Sequence, residues 1–410
     1  MNRTQRLLYP CVHVSERALR LGTEAAIEVF AAARRHETSG SPVLHLEIGE
    51  PGVPTPGHIM EAAVRSLREG ETGYGPPAGL PDLRVAIAEH LRERGVPATP
   101  DRVVVGPGAK PLIFFAALTL LDTGDEALVP DPGFPIYASA VRAAGARPVS
   151  YAVPTEPGAT FDVGAVAGRV TRRTRVLFVN SPHNPTGTVL RSADLAALAT
   201  LAERHDLAVV SDDVYSRIRF DRCVESIAAL PGLAGRTVLV DGFSKTYAMT
   251  GWRLGYAHLP PELVQPITRF VINSVTCTPA FVQRAGLAAL GGAQTCVEEL
   301  VSALAERRDE TVARLNALPG VRCPQPAGTF YAFPRIEERS GRVIDDEAFA
   351  RRLLDNCRVA LLPGSGFGAA GRGHVRLSFA ARRADLDEAL ARIGRFASRV
   401  RTRTPERRPA

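Results

Sequence analysis

The sequence is short of the features that mark metal sites and disulfide scaffolds. Its six cysteines, Cys11, Cys223, Cys277, Cys296, Cys323 and Cys357, are scattered with no CxxC pair. That spacing argues against a zinc site and a disulfide framework, and fits a reducing compartment. The nine histidines form no ligand-spaced cluster, which disfavours a simple metal hydrolase. No apolar run is long enough to span a bilayer, and the N-terminus lacks an apolar signal core. A soluble, cytoplasmic protein is expected. Basic residues outnumber acidic ones, 50 to 43, but the excess gathers only in the terminal stretch RVRTRTPERRPA. Basic residues interleaved with aromatics are missing, as is any nucleic-acid reader motif, so no nucleic-acid partner is expected. A positive field still helps to recruit anionic small molecules.

What is present is an ordinary globular composition, 45% hydrophobic and 23% charged. A chain of 410 residues is long for one core, so two domains are expected. From about residue 102 to 258, strands alternate with helices. RVVVG, EALVP, RVLFVN, LAVVS, TVLVD and WRLGYAHL are short, β-branched and nearly continuously apolar. Such strands are buried on both faces, and their alternation with helices implies a mostly parallel α/β sheet. A helical stretch over roughly 260–317 follows. VRCPQPAGTFYAFPRI, RVALLPG and HVRLSFA then read as strands of a smaller α+β domain. The residues before Glu47 read as one helix and a lead-in. The expected boundaries are 54–309 for the large domain, 1–53 with 310–400 for the small one, and a frayed basic tail at 401–410.

Polar groups cluster at the ends of these apolar strands. Lys245 follows TVLVD within Gly242-Phe243-Ser244-Lys245-Thr246-Tyr247, and Arg253 comes shortly after. A lone lysine is ordinarily a solvated charge. An amine partly desolvated at a strand end has a lowered pKa and serves as nucleophile and base. Arg253 suits bidentate pairing with a phosphate. Ser211-Asp212-Asp213-Val214-Tyr215 puts carboxylates at a strand's C-terminal end, where α/β sheets place ligands; taken alone the pair is equally a helix cap. Ser181-Pro182-His183-Asn184-Pro185-Thr186-Gly187 is a turn cluster, and its Asn184–Pro185 bond is a candidate cis peptide. Gly106-Pro107-Gly108-Ala109-Lys110 opens a helix, so small residues and free amides face any anion there.

Taken together and in this order, these segments resemble the class I/II aminotransferases of pyridoxal-phosphate (PLP) fold type I, over nearly the whole chain. The bacterial aspartate/aromatic branch is the nearest match in pattern. The resemblance implies a large domain with a mostly parallel seven-stranded sheet sandwiched by helices, plus a smaller α+β domain. It makes Lys245 the Schiff-base lysine that later moves a proton at the substrate's Cα. Asp212 would hold the pyridine nitrogen's proton; Asp213 is the rival for that role, and otherwise a supporting or capping acid. Asn184 and Tyr215 would meet the phenolic oxygen, and Phe134 would stack on the ring. Gly108, Ala109, Lys110, Ser244 and Arg253 would hold the phosphate. Tyr74, in Thr72-Gly73-Tyr74-Gly75, would reach the phosphate of a partner subunit, which implies a homodimer with shared sites. Arg376, in His374-Val375-Arg376-Leu377, would grip the substrate's α-carboxylate, with a backbone N–H from Gly49.

The implied reaction moves an amino group between an L-amino acid and a 2-oxo acid. The alternative is elimination, γ-substitution or oxidation of an amino acid on the same fold. A DNA-binding regulator built on this fold needs an extra N-terminal module for which the residues before Glu47 are too few. Lys110 either reads a distal carboxylate on an acidic substrate, supports the phosphate cup or faces solvent. The stretch Ile272–Pro279 lacks the Arg with which the animal-type enzymes read that carboxylate. Leu21-Gly22-Thr23-Glu24 departs from the pattern expected near the site entrance.

Overall fold

The computed structural model describes residues 14–220, 226–337 and 342–402. Cys11 and Cys223 lie outside them, and none of Cys277, Cys296, Cys323 and Cys357 is in a disulfide. Of the expected tail, residues 403–410 also lie outside, while 401 and 402 close the final helix Arg383–Thr402. Among the described residues no helix is long and apolar enough to cross a membrane.

The first strand, β1 (Leu44–His45), stands apart from the main sheet. The main sheet comprises β2 (Val103–Gly106), β3 (Glu126–Asp131), β4 (Arg147–Ala152), β5 (Thr174–Asn180), β6 (Ala208–Asp212), β7 (Thr237–Gly242) and β8 (Gly255–His258). Their order is β2-β8-β7-β6-β5-β3-β4. All neighbours run parallel except β8, which is antiparallel to both β2 and β7. The strand expected across WRLGYAHL is therefore shorter. Gly251, Trp252 and Arg253 form the turn that feeds it, and Leu254 links the turn to β8.

The apolar runs are explained by burial on both faces. Alternate residues point to opposite sides of a strand. Val104, Val176, Phe178, Val210, Val238 and Val240 share a core with the helices Ala109–Leu120, Ile136–Ala143 and Pro261–Val275. Val103, Val105, Leu239 and Tyr256 pack on the other side with Gly57–Arg68, Pro81–Glu93 and Ala280–Gly291.

The remaining strands are only two to four residues long. They are β9 (Val321–Arg322), β10 (Tyr331–Ala332), β11 (Arg335–Ile336), β12 (Val359–Ala360), β13 (Leu362–Pro363) and β14 (Val375–Ser378). β1 pairs with β12 in parallel, which ties the N-terminal segment to the C-terminal strands. A separate core of Leu46, Phe330, Leu353, Leu377, Phe379 and Leu390 lies beneath these strands, and Tyr215 and Ile218 from the region after β6 enter it. Among the described residues two helices precede β1, Glu16–Leu19 and Ala25–Thr38, where one was expected.

Candidate active site

Parallel strands deliver their C-terminal ends to one edge of a sheet, and ligands bind there. β2, β5, β6 and β7 end at that edge with Gly106, Asn180, Asp212 and Gly242. Because β8 runs the other way, it starts at the same edge, opposite Gly106 and Gly242. Its reversal brings Arg253, which precedes it, to the residues that follow the parallel strands. A cavity of about 480 Å³ opens here. Its lining includes Gly49, Ala109, Lys110, Phe134, Asn184, Asp212, Tyr215, Ser244, Lys245, Arg253 and Arg376. Of the sequence candidates, Tyr74 is not in this lining; it is 90% exposed. Gly108 is not in the lining either; it lies against Arg253, which is.

Lys245 sits in the short helix Phe243–Thr246 after β7. Its Nζ donates to the carbonyl of Gly49 at 2.6 Å. Burial lowers its pKa, and the Arg376 and Arg253 guanidiniums push the same way against the Tyr331 hydroxyl and Glu50. Gly49 has no room for a side chain: a Cβ there would lie 2.0 Å from the Tyr331 hydroxyl oxygen. The sequence assigned Gly49 a backbone N–H; the structure adds the role of its carbonyl.

Asp212 is buried at the end of β6. Burial pushes its carboxyl up to about 6, against hydrogen bonds from the Tyr137 hydroxyl and the Val214 amide. Asp213 faces away. The Arg94 guanidinium donates to its Oδ2 at 2.6 Å, and the Ser211 hydroxyl donates to its Oδ1. Arg94 also pairs with Asp241 at 2.8 Å. Of the acid pair, only Asp212 lines the cavity.

Asn184 follows the cis Asn184–Pro185 geometry expected from the turn cluster. Its Oδ1 accepts from Arg376 Nη1 at 3.0 Å, so its amide nitrogen is left as the donor. The Asn180 side chain accepts from the Asn184 backbone N–H and donates to the Asp212 carbonyl. The Tyr215 hydroxyl meets the Tyr331 hydroxyl at 2.8 Å. Arg376, on β14, is buried between the rings of Tyr331 and Phe367, at 4.1 and 5.0 Å. Its Nη2 donates to the Glu47 carbonyl, while its Nε has no hydrogen-bond partner.

Gly108 precedes the helix Ala109–Leu120 with a φ of 93°. A Cβ there would lie 2.3 Å from Arg253 Nη2. Arg253 itself donates to the carbonyls of Thr250 and Pro107. At β8, a Cβ on Gly255 would meet the Ala109 amide nitrogen at 2.5 Å. These close approaches bring the start of the helix Ala109–Leu120, Ser244 and the Arg253 guanidinium to one end of the cavity, a donor set of the kind that suits a phosphate.

Sequence reasoning missed Tyr137, Asn180, Tyr331 and the pocket role of Glu24. Tyr137 lies three residues after Phe134 and Asn180 ends an apolar strand, so both carried a weak signal. Tyr331 and Glu24 reach the cavity only through packing of the N- and C-terminal segments. Lys110 is not open to the cavity alone: its ammonium is paired with Glu24.

The donor set fits pyridoxal phosphate. A buried carboxylate is the acceptor that a pyridine N–H would need, an amide and a phenol are the donors that the phenolic oxygen would need, and the residues around Gly108 would hold the phosphate. The model of the "aminotransferase class I and II" family matches residues 41–393. An aspartate aminotransferase from Pyrococcus abyssi is 40% identical over 86% of this chain and 90% of its own length. An aromatic-amino-acid aminotransferase from Thermococcus litoralis is 38% identical over 86% and 90%. The crystal structure of an aspartate aminotransferase from Rhizobium meliloti has a TM-score of 0.88 at 34% identity, covering 95% of this chain and 100% of that one. With a chemically matched pocket and this span of similarity, the chain belongs to the class I and II aminotransferases.

Proposed function

We propose that this PLP-dependent aminotransferase carries out its reaction in the cavity around Lys245, moving an amino group between an L-amino acid and a 2-oxo acid. The observation that carries the reading is the cavity shared by Lys245, Asp212 and the buried Arg376. Bound there, pyridoxal phosphate supplies the electron sink for the charge left when a Cα–H bond breaks. Asp212 keeps a proton on the pyridine nitrogen by presenting a buried acceptor. The Asn184 amide and the Tyr215 hydroxyl donate to the phenolic oxygen. Ala109, Ser244 and Arg253, shaped by Gly108, hold the phosphate, and Phe134 stacks on the ring, while Lys110 is paired with Glu24.

Arg376 fixes the substrate's α-carboxylate with its planar fork, which orients the Cα–H bond toward Lys245. Gly49 adds its backbone N–H. The lowered pKa of Lys245 favours the neutral amine, which takes the Cα proton and holds it on Nζ. Elimination, γ-substitution and oxidation are not favoured, because the relatives named above are aminotransferases.

We keep the domain division read from sequence, 54–309 and 1–53 with 310–400; it is supported by a core that joins Leu46 to Leu353, Leu377 and Leu390, although Tyr215, Ile218, Leu300 and Leu304 also enter that core. A homodimer with shared sites is supported by exposed Tyr74, together with Met60, Val64 and Leu67 on one helix. The scattered cysteines support a cytoplasmic location.

The test is a panel of amino acids and 2-oxo acids offered to the PLP-loaded protein, scored for a new amino acid. At least one pair should react, and Lys245→Ala should abolish that turnover along with the cofactor's visible absorption band. Retained turnover in the variant, or no new amino acid from any pair, overturns the reading.

A further inference from the structure

Glu24 occupies the N-cap position of the helix Ala25–Thr38 but makes no side-chain cap bond. An acid at that position ordinarily turns to the helix's free amides. Here its Oε1 accepts from Lys110 Nζ instead. The pair bridges two bodies. Lys110 starts the helix Ala109–Leu120, which packs on the main sheet. The Glu24 helix is anchored to the C-terminal strands through Ala26 and Val29 against Phe333, Leu362 and Phe367. The two side chains are 24% and 43% exposed, so they face the cavity mouth and not open water alone.

The rest of the lining says what this pair meets. Asp212, Asn180, Tyr137, Phe134, Ser244, Arg253 and the Gly108 cradle belong to the cofactor. Arg376 and Gly49 face the α-carboxylate, and Lys245 faces Cα. Glu50, Ile113, Val214, Gly242, Thr250 and Tyr331 also line the cavity; Glu24, Ala26 and Ile27 at the start of the helix Ala25–Thr38, with Ile48 and Lys110, are assigned to the substrate's side chain. This subsite has an apolar wall and one ion pair.

We propose that Glu24 determines substrate specificity by neutralising Lys110, so that the side-chain subsite favours uncharged amino-acid side chains over dicarboxylic ones. The inference rests on the aminotransferase reading of this cavity. An unpaired Lys110 would attract a distal carboxylate. With Glu24 in place, that carboxylate must either share one ammonium with another carboxylate or displace Glu24 from it. Two carboxylates sharing one site repel, and both routes penalise an acidic side chain. An uncharged side chain meets neither penalty and packs on Ile27 and Ile48.

The experiment uses the PLP-loaded protein as wild type, Glu24→Ala, Glu24→Gln and Glu24→Ala/Lys110→Ala. It reads the ratio of kcat/KM for aspartate to that for alanine, and the dissociation constant of succinate, an unreactive dicarboxylate. Both Glu24 single variants should raise the ratio about tenfold or more and tighten succinate by a similar factor. The added Lys110→Ala change should remove both gains, because the freed ammonium is their cause. An unmoved ratio and unmoved succinate binding in the single variants overturn the inference, as do gains that survive loss of Lys110. Succinate binding does not depend on turnover. Failure of transamination with every substrate therefore overturns the aminotransferase reading, while the succinate series judges Glu24 separately.

Discussion

Tyr137 donates its hydroxyl to Oδ2 of Asp212 across 2.6 Å, and both side chains are buried. This bond favours the charged carboxylate in a place where burial disfavours it. A hydrogen bond to a charged group contributes about 1.5–3 kcal/mol, and a pH unit corresponds to about 1.4 kcal/mol. Tyr137→Phe should therefore move the titration of Asp212 upward by about 1–2 pH units. Spectrophotometric titration with pyridoxal phosphate between pH 5 and 8 checks it. The pH below which cofactor affinity declines should rise in the variant; an unmoved profile would show that the bond does not tune Asp212.

The same burial predicts how the cofactor-free protein responds to pH. The Asp212 carboxyl is raised to about 6, from an ordinary 3.8. Between those values the folded chain holds a proton that the unfolded chain has lost. Stability contributed by this group is complete below pH 4 and falls as pH rises toward 6. The loss is at most about 3 kcal/mol. Cofactor-free Asp212→Asn should lose this part of the slope, which thermal melts at pH 4.5, 5.5 and 6.5 would reveal. Equal slopes in the two proteins would mean that Asp212 does not titrate in this range.

Much of the main sheet was legible because its strands are buried on both faces, and continuous β-branched runs such as RVLFVN have few other uses. The direction of β8 was not. Nothing local in Gly255–His258 says that it runs against its neighbours; the turn through Arg253 decides it. The strands of the smaller part escape definition because several are two residues long, too short for alternation to register. The site divides in the same way. Lys245, Asp212, Asn184 and Arg253 lie next to strand ends and read clearly. Glu24 and Lys110 are 86 residues apart, and only folding brings them together. The odd Leu21–Glu24 segment could be noticed in the sequence, but its partner could not.

Gly108 offers a test of the phosphate cradle. Its φ of 93° and ψ of 166° lie in a region almost confined to glycine, so Ala there costs about 1–3 kcal/mol of strain. The added methyl would also displace Arg253, 2.3 Å from its Cβ position. Gly108→Ala should weaken pyridoxal phosphate by about tenfold or more, while affinity for pyridoxal, which lacks the phosphate, changes less. Equal losses for the two ligands would place the damage outside the cradle.

Arg376 supplies the last prediction. Its guanidinium is held from two sides, by the Glu47 carbonyl at 2.6 Å and by Asn184 Oδ1 at 3.0 Å, and lies over the Tyr331 ring. That fixes the plane in which a carboxylate must approach. Arg376→Lys keeps the positive charge but loses the fork and its orientation. Loss of a charge-assisted hydrogen bond of about 1.5–3 kcal/mol corresponds to about a ten- to hundredfold fall in kcat/KM. The fall should be similar for amino acids with different side chains, because all share the α-carboxylate. Amines lacking a carboxylate should react slowly with the wild type and be little affected by the change. Steady-state assays with alanine, phenylalanine and ethylamine separate the outcomes. A fall confined to one side chain, or an equal fall for the amine, would place Arg376 at a different part of the substrate.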